Sequence, residues 1–165
     1  MTVDLPANWS NLADDARIWI WASPQILSDS GVDKVDQHLG EFVRRWTSHQ
    51  VALTAKSKVF FRHFVVVALD QSASTGASGC SIDALTHEVQ GVAQALNLDL
   101  LDRQTFYFHK DDAIDLINMA AIKDAVSAGR ISEDSLVFDT LIKTKKDLEH
   151  NWIKPAKESW HARFF

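Results

Sequence analysis

The spacing of apolar positions changes several times along the chain, and each change marks an element. In "RIWIWAS", Arg17 to Ser23, the residues Ile18, Ile20 and Ala22 alternate with Trp19 and Trp21. A strand built from it sets aliphatic side chains on one face and indoles on the other, with both faces covered as in an interior strand. Ser28 and Asp29 then offer an N-cap, and Val32, Val35, Leu39, Phe42, Val43 and Trp46 recur at helical spacing. That run predicts an amphipathic helix. "KSKVFFRHFVVVALD" is β-branched and aromatic and contains neither glycine nor proline. It predicts two paired strands or one long bent one, with the wholly apolar part from Phe64 to Asp70 central in its sheet.

After a glycine-containing turn, Ile82, Leu85, Val89, Val92 and Leu96 fall at steps of three and four, which predicts a second helix. "RQTFYFHKDDAIDLIN" gives two alternating segments around His109 to Asp112, a predicted hairpin. A short helix follows from Met119 to Ala128, stopped by Gly129, and "SLVFD" supplies a further strand. Thr144 to Trp152 is predicted helical until Pro155 forbids continuation. The order predicts one α+β domain over residues 1–165, with a mixed sheet of about five to six strands and about four helices. The segment from Phe64 to Asp70, the second helix and the Phe106 strand form a candidate right-handed crossover. It would place the intervening turn at the carboxyl end of a central strand, where open sheets tend to bind ligands.

Composition narrows the class. The chain has 165 residues, 46% of them apolar and 24% charged, as expected of a folded domain able to bury about 70% of its unfolded surface without a metal or disulfide. The six tryptophans are read as packing residues. The first ten residues lack the basic start and apolar stretch of a secretory signal, and a single cysteine forms no internal disulfide, so a cytoplasmic protein is expected. The apolar run from Phe64 to Leu69 is far shorter than the roughly 20 residues that cross a bilayer, so no membrane span is expected. A net charge of −5 argues against nucleic acid as a partner. The six basic and three acidic residues between Lys143 and Arg163 are read as a solvated helix face.

The candidate chemistry lies in "STGASGCSID". This turn brings the lone Cys80 to the start of the second helix, where unpaired amides and the helix dipole favour negative charge. Two uses follow: a reactive thiol at Cys80, or a small anionic ligand held by the amides with Ser78, Gly79 and Ser81. Ser81 could equally be spent as the N-cap. His87 stands two helical turns away, about 10 Å, so a base for Cys80 must come from elsewhere, from His63, His109, Asp70 or Asp139. Asp70 and Asp83 are the carboxylates that could converge across the turn, as catalytic groups or around Mg²⁺. Both are also ordinary turn and capping residues, and Cys80 is equally read as a small residue in a tight turn. Seven histidines without zinc-ligand spacing argue against a metal site, and no cofactor is expected. The alternative function is a non-catalytic interaction module using the aromatic end, Trp160, Phe164 and Phe165. That end either docks on its own core, the preferred reading, or makes a partner or homodimer contact.

Five stretches taken together, "RIWIWAS", "FVVVALD", "GASGCSID", "DLLDR" and "LVFDTLIKTKKDLEHNWIKPAKESW", resemble a family of short bacterial proteins of unknown function. Members often carry the label "ABC transporter ATPase". A Walker A loop needs G-x-x-x-x-G-K-[ST] to cradle phosphates on backbone amides and bring a lysine to them. Here Gly76 and Gly79 are three apart, and Cys80 and Ser81 stand where the lysine and hydroxyl are required. The residues exclude the ATPase reading, and the resemblance supplies no catalytic residues to carry over.

Overall fold

The computed structural model describes residues 1–72 and 76–165. Its strands are β1 (Arg17–Ala22), β2 (Thr47–Ser48), β3 (Val51–Ala52), β4 (Thr54–Phe60), β5 (Phe64–Asp70), β6 (Thr105–Lys110), β7 (Ala113–Asn118), β8 (Leu136–Phe138) and β9 (Ile153–Pro155). The helices are α1 (Asp29–Arg45), α2 (Gly79–Ala95), α3 (Ile122–Ser127) and α4 (Lys145–His150). The α+β class and the four helices agree with the sequence reading. The described strands are shared among three antiparallel sheets, ordered β1-β5-β4, β2-β3 and β7-β6-β8-β9.

β5 organises the domain. It is central in its sheet, and every residue from Phe64 to Leu69 is fully buried. Its side chains alternate between two cores, as the pleat requires. Val65, Val67 and Leu69 face α1 and α2, packing with Leu39, Phe42 and Leu85. Phe64, Val66 and Ala68 face the four-stranded sheet, packing with Tyr107, Phe138 and Ile153. The far side of that second sheet packs Phe106 and Phe108 against Ile122 and Ala125 of α3. The layers therefore run helices, sheet, sheet, helix and tail.

β1 keeps the predicted division of faces, with Ile18 and Ala22 in one core and Trp19 and Trp21 against the other. It is an edge strand, however, rather than an interior one. Its outer edge is partly covered by the 143–144 segment: Ile18 N–H donates to the Lys143 carbonyl at 2.9 Å, and Arg17 bridges Thr144. α1 starts on the Ser28 cap, whose hydroxyl accepts from Gly31 N–H. The hairpin between β4 and β5 turns through Phe61 and Arg62 at φ of 51° and 58°, a conformation usually left to glycine. Phe61 is held there by ring contacts with Phe64, Phe138 and Trp152.

The expected crossover does not form. β5 and β6 follow one another with α2 between them, but β6 joins the facing sheet, where Tyr107 closes the core over Phe64 at a ring separation of 5.0 Å. The aromatic end docks on its own domain, as preferred: Trp160 and Phe164 lie edge-on to Phe106 at 5.3 and 5.0 Å. Among the described residues no helix is long and apolar enough to cross a membrane.

Candidate functional site

The two ends of β5 differ in chemistry. At its carboxyl end the Asp70 carboxylate is fully engaged. One oxygen accepts from Ala13 N–H at 3.1 Å, and the other accepts from the backbone and hydroxyl of Ser72. The two Ser72 hydrogen bonds, with help from Ala13 and the nearby Lys145 charge, outweigh burial and hold the Asp70 pKa below the usual carboxylate value. Residues 73–75 of the turn lie outside the described residues.

α2 begins at Gly79 and is capped by Ser78, whose hydroxyl accepts from Ser81 N–H at 3.2 Å. The cap is thus Ser78 and not Ser81. Ser81 is buried instead: its hydroxyl donates to the Ser78 carbonyl, and its own carbonyl accepts the Trp46 indole N–H at 2.9 Å. Ser78 N–H donates to the Ser48 hydroxyl of β2. Gly79 and Cys80 are exposed inside the first turn, and Cys80 makes no hydrogen bond among the described residues. Asp83 is exposed beyond the first turn, which carries no acidic residue. No hydrogen bond or ion pair joins Asp83 to Asp70 among the described residues. Nor do the described residues contain a cluster of three or more metal-binding side chains.

None of the proposed bases is hydrogen-bonded to Cys80 among the described residues. His63 is buried at the amino end of β5, with its Nδ1 2.7 Å from the Ser23 carbonyl. Asp139 is paired with Lys154 at 2.8 Å beyond β8. His109 lies on β6 and stacks near Phe138.

At the amino end of β5 the fold leaves a cavity of about 450 Å³, within the range of small-molecule sites. The register pairs Ile20 with Val66 and Ala22 with Phe64, so the Ile20–Ala22 wall stands roughly 13–20 Å along the sheet from Asp70. α2 covers the same distance in reverse and delivers Leu100, Leu101, Asp102 and Arg103 to the cavity. The start of β6 gives Phe106 and Tyr107, the end of β8 gives Phe138, and the docked tail gives Trp160 and His161. The walls are mainly apolar because they are the edges of three hydrophobic cores.

The polar groups here are under-satisfied. Five buried side-chain nitrogen or oxygen atoms lack a hydrogen-bond partner among the described residues, and three belong to residues of this cavity: Tyr107 Oη, Trp160 Nε1 and Asp102 Oδ2. Such groups are rare in native folds and need an explanation. Burial raises the Tyr107 pKa far above that of a free phenol, with the Asp102 and Asp99 carboxylates adding to it. Tyr107 is therefore a permanent hydrogen-bond donor rather than an acid. His161, 2% exposed and stacked on Trp160 at 4.0 Å, has its pKa lowered to about 4 by burial, and Lys154 adds to that while Asp139 opposes it. It is neutral at physiological pH. Arg103 is exposed at the rim and forms no ion pair among the described residues.

A larger hollow of about 600 Å³ lies between residues 1–6 and 58–61, but its lysine, Lys58, is already bound to Asp36. With this geometry in hand, comparison adds no relative: no family model matches the chain, and no curated protein or solved structure matches it either.

Sequence reasoning marked Trp160 as a docking or partner-contact residue and passed over Asp102, Arg103, Tyr107 and His161 as site residues. A signal was there in Tyr107, the chain's one tyrosine, set between two phenylalanines in an apolar strand. A phenol so placed must either find a partner or wait for one.

Proposed function

We propose that the protein is a cytoplasmic binding protein for a small amphipathic carboxylate, held in the cavity at the amino end of β5. The observation that carries this reading is the coincidence of two unpartnered buried donors, Tyr107 Oη and Trp160 Nε1, with an unpaired cation, Arg103, on one apolar cavity. Two donors and a guanidinium ask for acceptor oxygens, and a carboxylate supplies them with charge, the Arg103 cation offsetting the repulsion from Asp102, whose field reaches Tyr107. The apolar walls ask for a hydrocarbon body. Tyr107 Oη and Trp160 Nε1 are themselves buried, so seating the ligand requires these rings to turn towards it. The reading assigns no reaction.

Calorimetric titration with hexanoate tests it. Saturable binding is expected, weakened about tenfold or more in Arg103→Ala, where a charge-assisted hydrogen bond is lost, and unchanged in Cys80→Ser. Absence of binding, or binding that disappears in Cys80→Ser, contradicts it.

A second reading keeps a small anion at the start of α2. It is favoured by the exposure of Gly79 and Cys80, whose backbone N–H groups have no partner among the described residues. There inorganic phosphate should raise Tm, Gly79→Val should abolish the rise, and Cys80→Ser should preserve it if backbone amides do the binding. Exposure also leaves the Cys80 thiol open to alkylation, and rapid labelling by iodoacetamide in the folded protein is the corresponding test of thiol chemistry.

A further inference from the structure

Next to the cavity, along the last turns of α2, lies a second and shallower hollow of about 290 Å³, lined by Val89, Ala93 and Leu98 together with the polar Gln90, Gln94 and Asp99. The two hollows share Leu100 and Leu101. Leu101 is 51% exposed, and Leu141, on the cavity's other wall, is 61% exposed. Both rank among the most exposed large apolar side chains of the described residues, and both line the same cavity. A compact ligand confined to the cavity would meet Leu101 from one side and leave the second hollow open. A ligand that runs from the cavity across Leu101 would fill both.

We propose that the bound carboxylate is a linear fatty acid. Its head group sits in the cavity against Arg103, Tyr107 and Trp160, and its tail crosses Leu101 to lie along α2 between Val89 and Leu98. This rests on the cavity reading above and names its ligand class. The division of labour follows from the chemistry of the two hollows. The unpartnered donors and the free guanidinium are all on the first, whereas the floor of the second is aliphatic. An alkyl chain is the simplest body that bridges them, since it needs no hydrogen-bond partner along its length.

The test is a calorimetric series of hexanoate, octanoate, decanoate and dodecanoate, each below its critical micelle concentration. Each methylene moved out of water should tighten Kd about fourfold until the second hollow is full. Gln94→Trp, at an exposed position of α2 that lines only the second hollow, should erase the gain of the longer chains while leaving hexanoate affinity unchanged. If hexanoate binds and the longer chains bind no tighter, the tail assignment is overturned and the cavity reading stands. A chain-length gain that persists in Gln94→Trp also overturns it. If no member of the series binds, both fall together.

Discussion

The two ends of β5 are built from the same strand, yet one is closed and the other open. At the Asp70 end the buried polar groups Asp70, Lys145 and Ser81 have partners among the described residues: Asp70 holds Ala13 and Ser72, Lys145 donates to the Leu12 carbonyl at 3.0 Å, and Ser81 is bonded to Ser78. At the Phe64 end, three residues around one cavity carry buried polar atoms without a partner among the described residues. The difference teaches where to look for function. A helix start dressed with serines and a cysteine looks functional in sequence, but much of its polarity is consumed by its own folding. A tyrosine, a tryptophan and an aspartate inside apolar segments look structural, and they are the groups left in want of a partner.

The largest effect expected from breaking this comparison comes from removing the cavity's outer wall. Deleting residues 156–165 strips Trp160, His161 and Phe164 from Phe106. Truncating a large buried aromatic costs about 3–5 kcal/mol, so chemical denaturation should show at least about 3 kcal/mol of lost stability. A deletion that leaves stability untouched would mean that the tail does not form the wall.

His161 gives the next effect. Its folded pKa of about 4 lies below the ordinary value of 6.5, so the unfolded chain takes up the proton first. Its contribution is complete above pH 6.5 and is lost as pH falls towards 4, by about 3 kcal/mol in all. His161→Phe should flatten the stability profile across that window, as urea titrations at successive pH values would reveal.

Much of the fold was legible because burial in each segment follows one period. The indole and aliphatic faces of β1, the apolar β5, the Ser28 cap and the hairpin of β6 and β7 each announce themselves locally. β9 was missed because Ile153–Pro155 is three residues that pair only through β8, which is knowledge of a distant segment. The crossover was misplaced for a related reason. Local pattern cannot tell a strand that continues a sheet from one that packs over it, and Tyr107 meeting Phe64 decides that at long range. The candidate site failed the same way: hydrogen-bond satisfaction is a tertiary property, so Asp70 and Tyr107 could not be told apart as spent and unspent.

Two substitutions sharpen that distinction. Asp70→Asn removes a charged acceptor of three hydrogen bonds and should cost about 2 kcal/mol at neutral pH. Because the Asp70 pKa is lowered on folding, the wild type holds this advantage above the unfolded value of about 3.9 and loses it as pH falls below it, so the two proteins should converge in acid. Tyr107→Phe should do the reverse. It removes an unpartnered buried hydroxyl and should raise stability by about 1 kcal/mol while weakening hexanoate binding. Destabilisation by this substitution would show that the hydroxyl is already satisfied.

The most direct test of the central claim follows a hexanoate titration by two-dimensional ¹H–¹⁵N NMR. The indole N–H of Trp160 and the amides of Leu101 to Tyr107 should shift progressively and saturate together, while the amides of Gly79, Cys80 and Ser81 stay in place. Shifts centred on Gly79 to Ser81, with the Trp160 indole unmoved, would contradict the account and return the functional site to the other end of β5.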